Sequence, residues 1–514
     1  MSKRQMSELD KLLEATAKRQ ERIKAAEAAL SRPVAAPAPP PPPPVPEPVA
    51  AASAPVATSE AIEPTEVPPM FKAALEPYTV PSLIVNAAEE EDPLLVMLAG
   101  QEAESPSVKE LLHGGWVRAH YAHDRACPAT VARWLFGVAC HHRRAETSAA
   151  AARTLGALLD GSTAPAWVPQ PGDFLVALRR HGADLAELGP DAEAAAAAID
   201  AGADQLSAGA ASTSGAADEY QLDDPRQNVL ATLELLTPCA RRWAACTPMD
   251  ERVGAARWIA RMMLERHTAP AFVHLQEAFA HTLDGAPEAR WAAEWEPRLL
   301  RGLRALCAAL PHTAVVRVLE FLPPTLRASV IQRRAAVDAI RLLAHRRQKQ
   351  HRADGRAENA ARKQQRRAAA EARKARRESG EEEEGSDDDE EDDDEEDDED
   401  EEEEEDNALA EAGGVDGGAT ELAEALLGVE ASMYKGHMEV LHSILVLTNV
   451  AISAEPERLR GEREALAGVK QRLGQIKNRA QRYRGAIDYH GLECESLASY
   501  LGNQLELLYL AGEE

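Results

Sequence analysis

Aromatic residues are scarce in this 514-residue chain, which holds 6 Phe, 7 Trp and 8 Tyr, 4% in all. Any core must therefore be built from Leu, Ala, Val and a few Trp. Segments of that composition that are also rich in Arg favour helix over sheet. No segment alternates convincingly at period two, and no run of about 18 apolar residues is present, so neither a sheet nor a membrane span is expected. The six cysteines (Cys127, Cys140, Cys239, Cys246, Cys307, Cys494) include no CxxC pair. Several sit in apolar helical patterns, where a free thiol acts as a small core residue, and this predicts a reducing compartment. Residues 1–30 are charged throughout and lack an apolar signal region. A soluble intracellular protein is the expectation.

Signatures of catalysis are missing too. There is no Walker A loop, no Rossmann glycine fingerprint and no GxSxG elbow. Cys140-His141-His142 invites a metal reading, but three adjacent helical residues point in different directions and no second Cys/His pair has ligand spacing. The carboxylates are concentrated in a solvated, mutually repelling run unsuited to positioned acid–base work. No cofactor, no metal and no enzyme activity are expected.

What is abundant is charge, and it is segregated. The formal net charge is −29, from 86 acidic against 57 basic residues. Between Glu381 and Asp406 lie 24 acids; without them the remainder holds 62 acids against 57 bases. The part able to fold is thus close to neutral, with no overall basic field to advertise nucleic-acid binding.

Five regions follow from the pattern. Residues 1–32 form an isolated amphipathic helix, opened by Ser7 and closed by Ser31-Arg32-Pro33, with Met6, Leu9, Leu13 and Ile23 on one face. Alone it is marginal in water, so those four residues either anchor it to a partner or belong to a solvated, half-formed helix. Residues 33–77 are a disordered Pro/Ala-rich linker in which Pro39–Pro44 favours polyproline II; a ligand for SH3, WW or profilin-type domains is the alternative.

Residues 78–345 carry a helical-repeat body. Near its start, Ser82-Leu83-Ile84-Val85 followed by Glu89-Glu90-Glu91-Asp92 resembles a SUMO-interacting motif, in which Leu83, Ile84 and Val85 would add a strand to a sheet edge. The plainer reading makes them the first core segment, since Leu94, Leu95, Val96 and Leu98 follow at once. Apolar residues then recur at helical spacing through Val131, Trp134, Leu135 and Val138, through Leu230, Leu233 and Trp243, through Val253, Ile259 and Met263, and through Leu299, Leu303, Leu306 and Leu310. Residues 191–219 are small and without period, and read as a loop.

Residues 346–421 read as a disordered insertion, basic and then acidic. Arg362-Lys363 and Arg373-Lys374-Ala375-Arg376-Arg377 approach a bipartite nuclear-import signal, or else form a solvated charged helix. Ser379 and Ser386 precede dense acids, a context that suits an acidophilic kinase. The acidic run itself could mimic nucleic acid toward basic proteins such as histones, mask the basic run, or serve as a solubilising spacer.

Residues 422–514 are C-terminal helices packing on the body. Leu459, Leu466, Leu473, Ala480 and Ile487 recur every seven residues, with Val469, Ile476 and Tyr483 as a second row, which forms an a/d seam on one long helix. Four glycines weaken it as a free coiled coil and favour packing on the body. The fold class expected is all-α: an irregular HEAT-like repeat body with a long C-terminal helix, no fixed sequence period, a disordered N-terminal region and a disordered charged insertion.

Several of these segments resemble one family. Cys127-Pro128 with Trp134-Leu135-Phe136, Trp167-Val168-Pro169 with Asp173-Phe174-Leu175, Gly182-Ala183-Asp184, and Leu303–Leu310 leading to Val315–Leu322 and the Arg333-containing helix are similar to the CANIN domain. So are the Met438–Asn449 helix and the heptad segment. That family includes the SMC-five–six localisation factor two of animals and the sixth non-SMC element of fungi. The likeness spans roughly residues 78–510, and the Ala/Arg-rich drift and long charged insertion depart from it. It implies a nuclear, non-catalytic loading subunit of the SMC-five–six DNA-repair complex. Such a subunit would bind a non-SMC-element-five-like subunit and the SMC-five–six core. The SUMO-like segment and the acidic run add SUMO or histones as alternative partners; no membrane is expected, and direct DNA contact is left open. An acidic-tract histone-binding or nuclear-transport adaptor is the rival reading.

Overall fold

A computed structural model describes 67, 69–72, 80, 82–83, 92–99, 101–122, 125–162, 165–188, 192–199, 225–378, 418–483 and 489–511. Among these residues the fold is all-α, and the one β-type contact is an isolated antiparallel bridge between Phe71 and Ala183. The body opens with α1 (Pro93–Leu98), α2 (Pro106–His113), α3 (Trp116–Tyr121), α4 (Ala129–His141), α5 (Ala145–Gly161) and α6 (Pro171–Arg180). A further helix, α7, covers 192–199. Then come α8 (Pro225–Glu234), α9 (Leu236–Cys246), α10 (Met249–Met262), α11 (Phe272–Asp284), α12 (Glu296–Ala309) and α13 (His312–Glu320). The chain closes with α14 (Leu326–Glu378), α15 (Ala419–Leu427), α16 (Met438–Ala454), α17 (Arg463–Tyr483) and α18 (Tyr489–Ala511).

Local chemistry sets several of these starts. The Asp92 carboxylate accepts from the Leu94 and Leu95 amides, with Pro93 at the first helical position. Ser105 does the same for α2 ahead of Pro106. Gln170 and Asp173 form a reciprocal capping box around Pro171 at the start of α6.

Consecutive helices then stack: α4 on α5, α5 on α8, α9 and α10 on α11, α10 on α12, α12 on α14, and α14 and α13 on α16. This is a HEAT-like arrangement in which each helix buries a broad apolar face on its neighbours. Ala and Leu dominate the continuous core, and its few aromatics meet edge to face. Phe174 lies 5.3 Å from Phe136 and 6.1 Å from Trp243. Trp243 is fully buried and its indole N–H donates to the Pro169 carbonyl at 2.8 Å.

Four expectations require correction. First, the expected linker over 33–77 gives way to packed chain before its end: Met70 is fully buried and its amide donates to the Glu265 carboxylate at 2.9 Å. The Lys72 amide donates to Gly182 O, and the Asp184 amide to Met70 O. Gly182 takes φ +83° in this turn, a left-handed conformation that suits glycine. Met70 and Phe71 bury apolar surface that the surrounding prolines obscured.

Second, the expected loop over 191–219 holds α7, whose Ala192 and Ala196 are buried. Small residues pack there without any Leu to mark a period. Third, the insertion expected from 346 does not begin in disorder, because α14 continues unbroken for 53 residues to Glu378. Ala, Arg, Lys, Gln and Glu sustain a helix by propensity alone. Fourth, the long C-terminal helix is two helices, α17 and α18, packed on one another, with α18 also on α16 and α17 on α15.

Candidate interaction surfaces

The residues singled out in the sequence scatter rather than converge. Met6, Leu9, Leu13 and Ile23 lie outside the described residues, as do Ile84, Val85, Ser379, Ser386 and Ile487. Leu83 is buried in the same core as Leu94, Leu95 and Leu98, the plainer of its two readings. Leu459 is buried in a helical turn before α17, and Leu466, Val469, Leu473, Ile476 and Ala480 are buried along α17. Tyr483 is the last residue of α17. The seven-residue period therefore marks the packing of α17 against α15 and α18 within the molecule.

Cys140-His141-His142, at the end of α4, is a structural knot. His181 Nε2–H donates to the Cys140 carbonyl at 2.8 Å, and the Asn228 amide donates to the carbonyls of Cys140 and His142. The last turn of a helix leaves carbonyls without intrahelical partners, and here side chains from α8 and the end of α6 satisfy them. The His141 and His181 rings stack at 5.4 Å between centroids. Burial pushes both imidazoles down, His141 well below the ordinary range, with the neighbouring His181 and Arg180 adding to it, and His181 to about 4. Burial also pushes the Cys140 thiol up to about 12. Among the described residues no three His, Cys, Asp or Glu side chains come together as metal ligands would.

One open concavity is a cleft of about 730 Å³ between α6, α7, α10 and α12. Its floor is Leu175, Ile199, Val253 and Trp258, and Asp250 and Arg298 form an ion pair at its rim. Among the described residues its lining carries no His, Cys, Ser, Thr or Tyr.

Two surfaces stand out instead. The first is the outer side of α18. Its inner side buries Cys494, Ala498, Leu501, Leu505 and Leu508. Yet Tyr489, Leu492, Tyr500, Leu507 and Leu510 stay exposed, Tyr489 at 69% and Leu507 at 68%. At 100° per residue these five fall within about 80° of one another, a single stripe interrupted only by Ser496 and Asn503. Glu495 and Glu506 border the stripe on one side and Glu493 on the other, and α18 contains no Lys or Arg. A helix apolar on two sides, with one side left in water, is the usual mark of a docking face. No signal in the sequence separated this outer stripe from the inner one, because both sides of α18 are Leu-rich.

The second surface is the distal part of α14. From His351 to Arg373 every side chain is exposed. At 1.5 Å per residue, 351–378 forms an arm about 42 Å long. It carries Arg362, Lys363 and Arg373 with exposed side chains, and Lys374, Arg376 and Arg377 lie on its last helical turns. The import-like cluster therefore sits on a regular helix.

No family model matches the chain, and no curated protein was found to be similar to it.

Proposed function

We propose that the chain is a non-catalytic adaptor that works in the nucleus as a loading subunit of the SMC-five–six complex. Its helical body would be the platform and the outer stripe of α18 the seat of a non-SMC-element-five-like partner. The stripe carries the proposal: five exposed apolar residues on one helix face fit an amphipathic partner helix read through i, i+3, i+4 and i+7 anchors. The bordering Glu493, Glu495 and Glu506 favour basic flanks on that helix. The resemblance of several segments to the CANIN domain supplies the identity of the complex.

The test is co-expression with a non-SMC-element-five-like subunit, comparing the intact chain with a Leu492→Asp, Tyr500→Asp, Leu507→Asp variant. Loss of partner and SMC subunits from the purified complex, with the helical circular dichroism unchanged, is the expected result. Undiminished recovery by the variant would remove the assignment. Histone capture that depends only on 381–406 would favour the acidic-tract adaptor.

A further inference from the structure

Arginine in the body of this protein caps helix ends. Arg327 donates to the carbonyls of Leu283, Asp284 and Ala286, Arg347 to Met433 O, and Arg472 to Leu426 O and Leu427 O. The arm of α14 uses it differently. Arg352, Arg356, Arg362, Lys363, Arg366, Arg367 and Arg373 are exposed along its length. They also repeat: Arg352, Lys363 and Lys374 are eleven residues apart, as are Arg356 and Arg367, Arg362 and Arg373, and Arg366 and Arg377. Eleven residues make three turns with only about 20° of drift, so the basic positions stay on one side of a straight helix. The seven from Arg352 to Arg373 fall within an arc of about 140°, and the opposite side mixes alanines with Asp354, Glu358 and Glu371, Glu358 pairing with Arg362 at 2.6 Å.

We propose that this basic face docks the sugar–phosphate backbone of double-stranded nucleic acid. What the arm lacks decides the class of ligand. Between Arg346 and Glu378 there is no Leu, Ile, Val, Met, Phe, Tyr or Trp. A helix lying in a membrane interface needs bulky apolar anchors, and so does the centre of a protein–protein interface. An evenly spaced cationic row without anchors has electrostatics alone to offer, and a regular polyanion is its complement. Duplex DNA, with one charge per about 1.7 Å of axis, supplies such a ligand on the scale of a 42 Å arm. Contact of this kind reads no bases, so the binding is independent of sequence.

The same chain carries a second polyanion, the 24 acids between Glu381 and Asp406, which begins three residues beyond the end of α14. Its charge competes with duplex for the arm. This inference does not depend on the partner assigned to α18.

The experiment is fluorescence anisotropy with a labelled 30-base-pair duplex over a salt series, using the full chain, a deletion of 381–406, and each with six arm substitutions. These are Arg352→Gln, Arg356→Gln, Lys363→Gln, Arg366→Gln, Arg367→Gln and Arg373→Gln. Glutamine keeps a helix propensity close to that of Arg and Lys, so circular dichroism should not change. The deletion is expected to tighten binding at least tenfold. With about six phosphates neutralised, the log–log salt slope should be about −5. The six substitutions should weaken the deletion chain at least tenfold and flatten that slope. Equal affinity and slope with and without the substitutions would overturn the proposal, as would absence of binding by the deletion chain. Preference for poly-glutamate over duplex at matched charge would assign the face to acidic polypeptide instead.

Discussion

Lowering the pH from 7.5 to 5 is expected to cost the folded protein about 2 kcal/mol through His181 alone. The ring is buried between the end of α4 and the turn after α6; its Nε2–H is committed to the Cys140 carbonyl, and its Nδ1 has no hydrogen-bond partner. A second proton would place both a charge and an unsatisfied donor in the core. Accordingly, burial holds its pKa at about 4 in the folded chain, against an ordinary 6.5. Between those values the unfolded chain binds the proton and the folded chain does not, so stability rises with pH. The contribution is complete above pH 6.5 and is lost as pH falls toward 4. The full contribution is about 3 kcal/mol, and about three-fifths of it has been lost by pH 5, hence a loss near 2. His141, stacked on it and pushed down by the same burial, works in the same direction. His181→Gln keeps an amide donor near the Cys140 carbonyl without the titration. Urea unfolding followed by tryptophan fluorescence at pH 7.5 and 5 should show a smaller pH dependence in the variant by about 2 kcal/mol, at unchanged m. An equal pH dependence in both proteins would refute the account of a neutral, buried His181.

Other perturbations probe separate joints. Glu265→Gln leaves Arg261, paired with it at 2.8 Å and only 1% exposed, as a buried charge missing its carboxylate. A loss of about 3–5 kcal/mol in urea unfolding is expected, with faster proteolysis near Met70. Gly182→Ala puts a Cβ at φ +83° and should cost about 1–2 kcal/mol, read as a lowered melting temperature. Leu473→Ala empties a buried position on α17 and should cost about 2–5 kcal/mol, whether or not any partner is present. A cost seen only in the presence of a partner would restore the seam as an intermolecular coiled coil.

The helical class and most helix positions were legible because Leu, Val and Trp recur at helical spacing from Val131 to Leu343, and burial follows that spacing. Where side chains are small the signal vanishes: Ala192 and Ala196 are buried but leave no period, so nothing in the sequence marks α7 as a helix. Polarity misleads in the opposite direction along α14, where an arm without a buried face looks like disorder by its charge although its residues are strong helix formers. The heptad of α17 was visible, but the seven-residue count ran on to Ile487, past Tyr483 where α17 ends. Burial can be anticipated from one helix at a time, but not which of two apolar sides stays in water, and α18 turned on that choice.

Because α14 is one uninterrupted helix, its buried half and its exposed half form a single lever. Helices α12, α13 and α16 grip the proximal half, so any partner that shifts these by a few degrees also redirects the far end. A 10° swing of a 42 Å lever displaces its tip by about 7 Å, roughly two phosphate steps of about 3.4 Å along the axis of one DNA strand. Small repacking deep in the helical stack is thereby converted, with no joint in between, into a whole-step movement at the distal end.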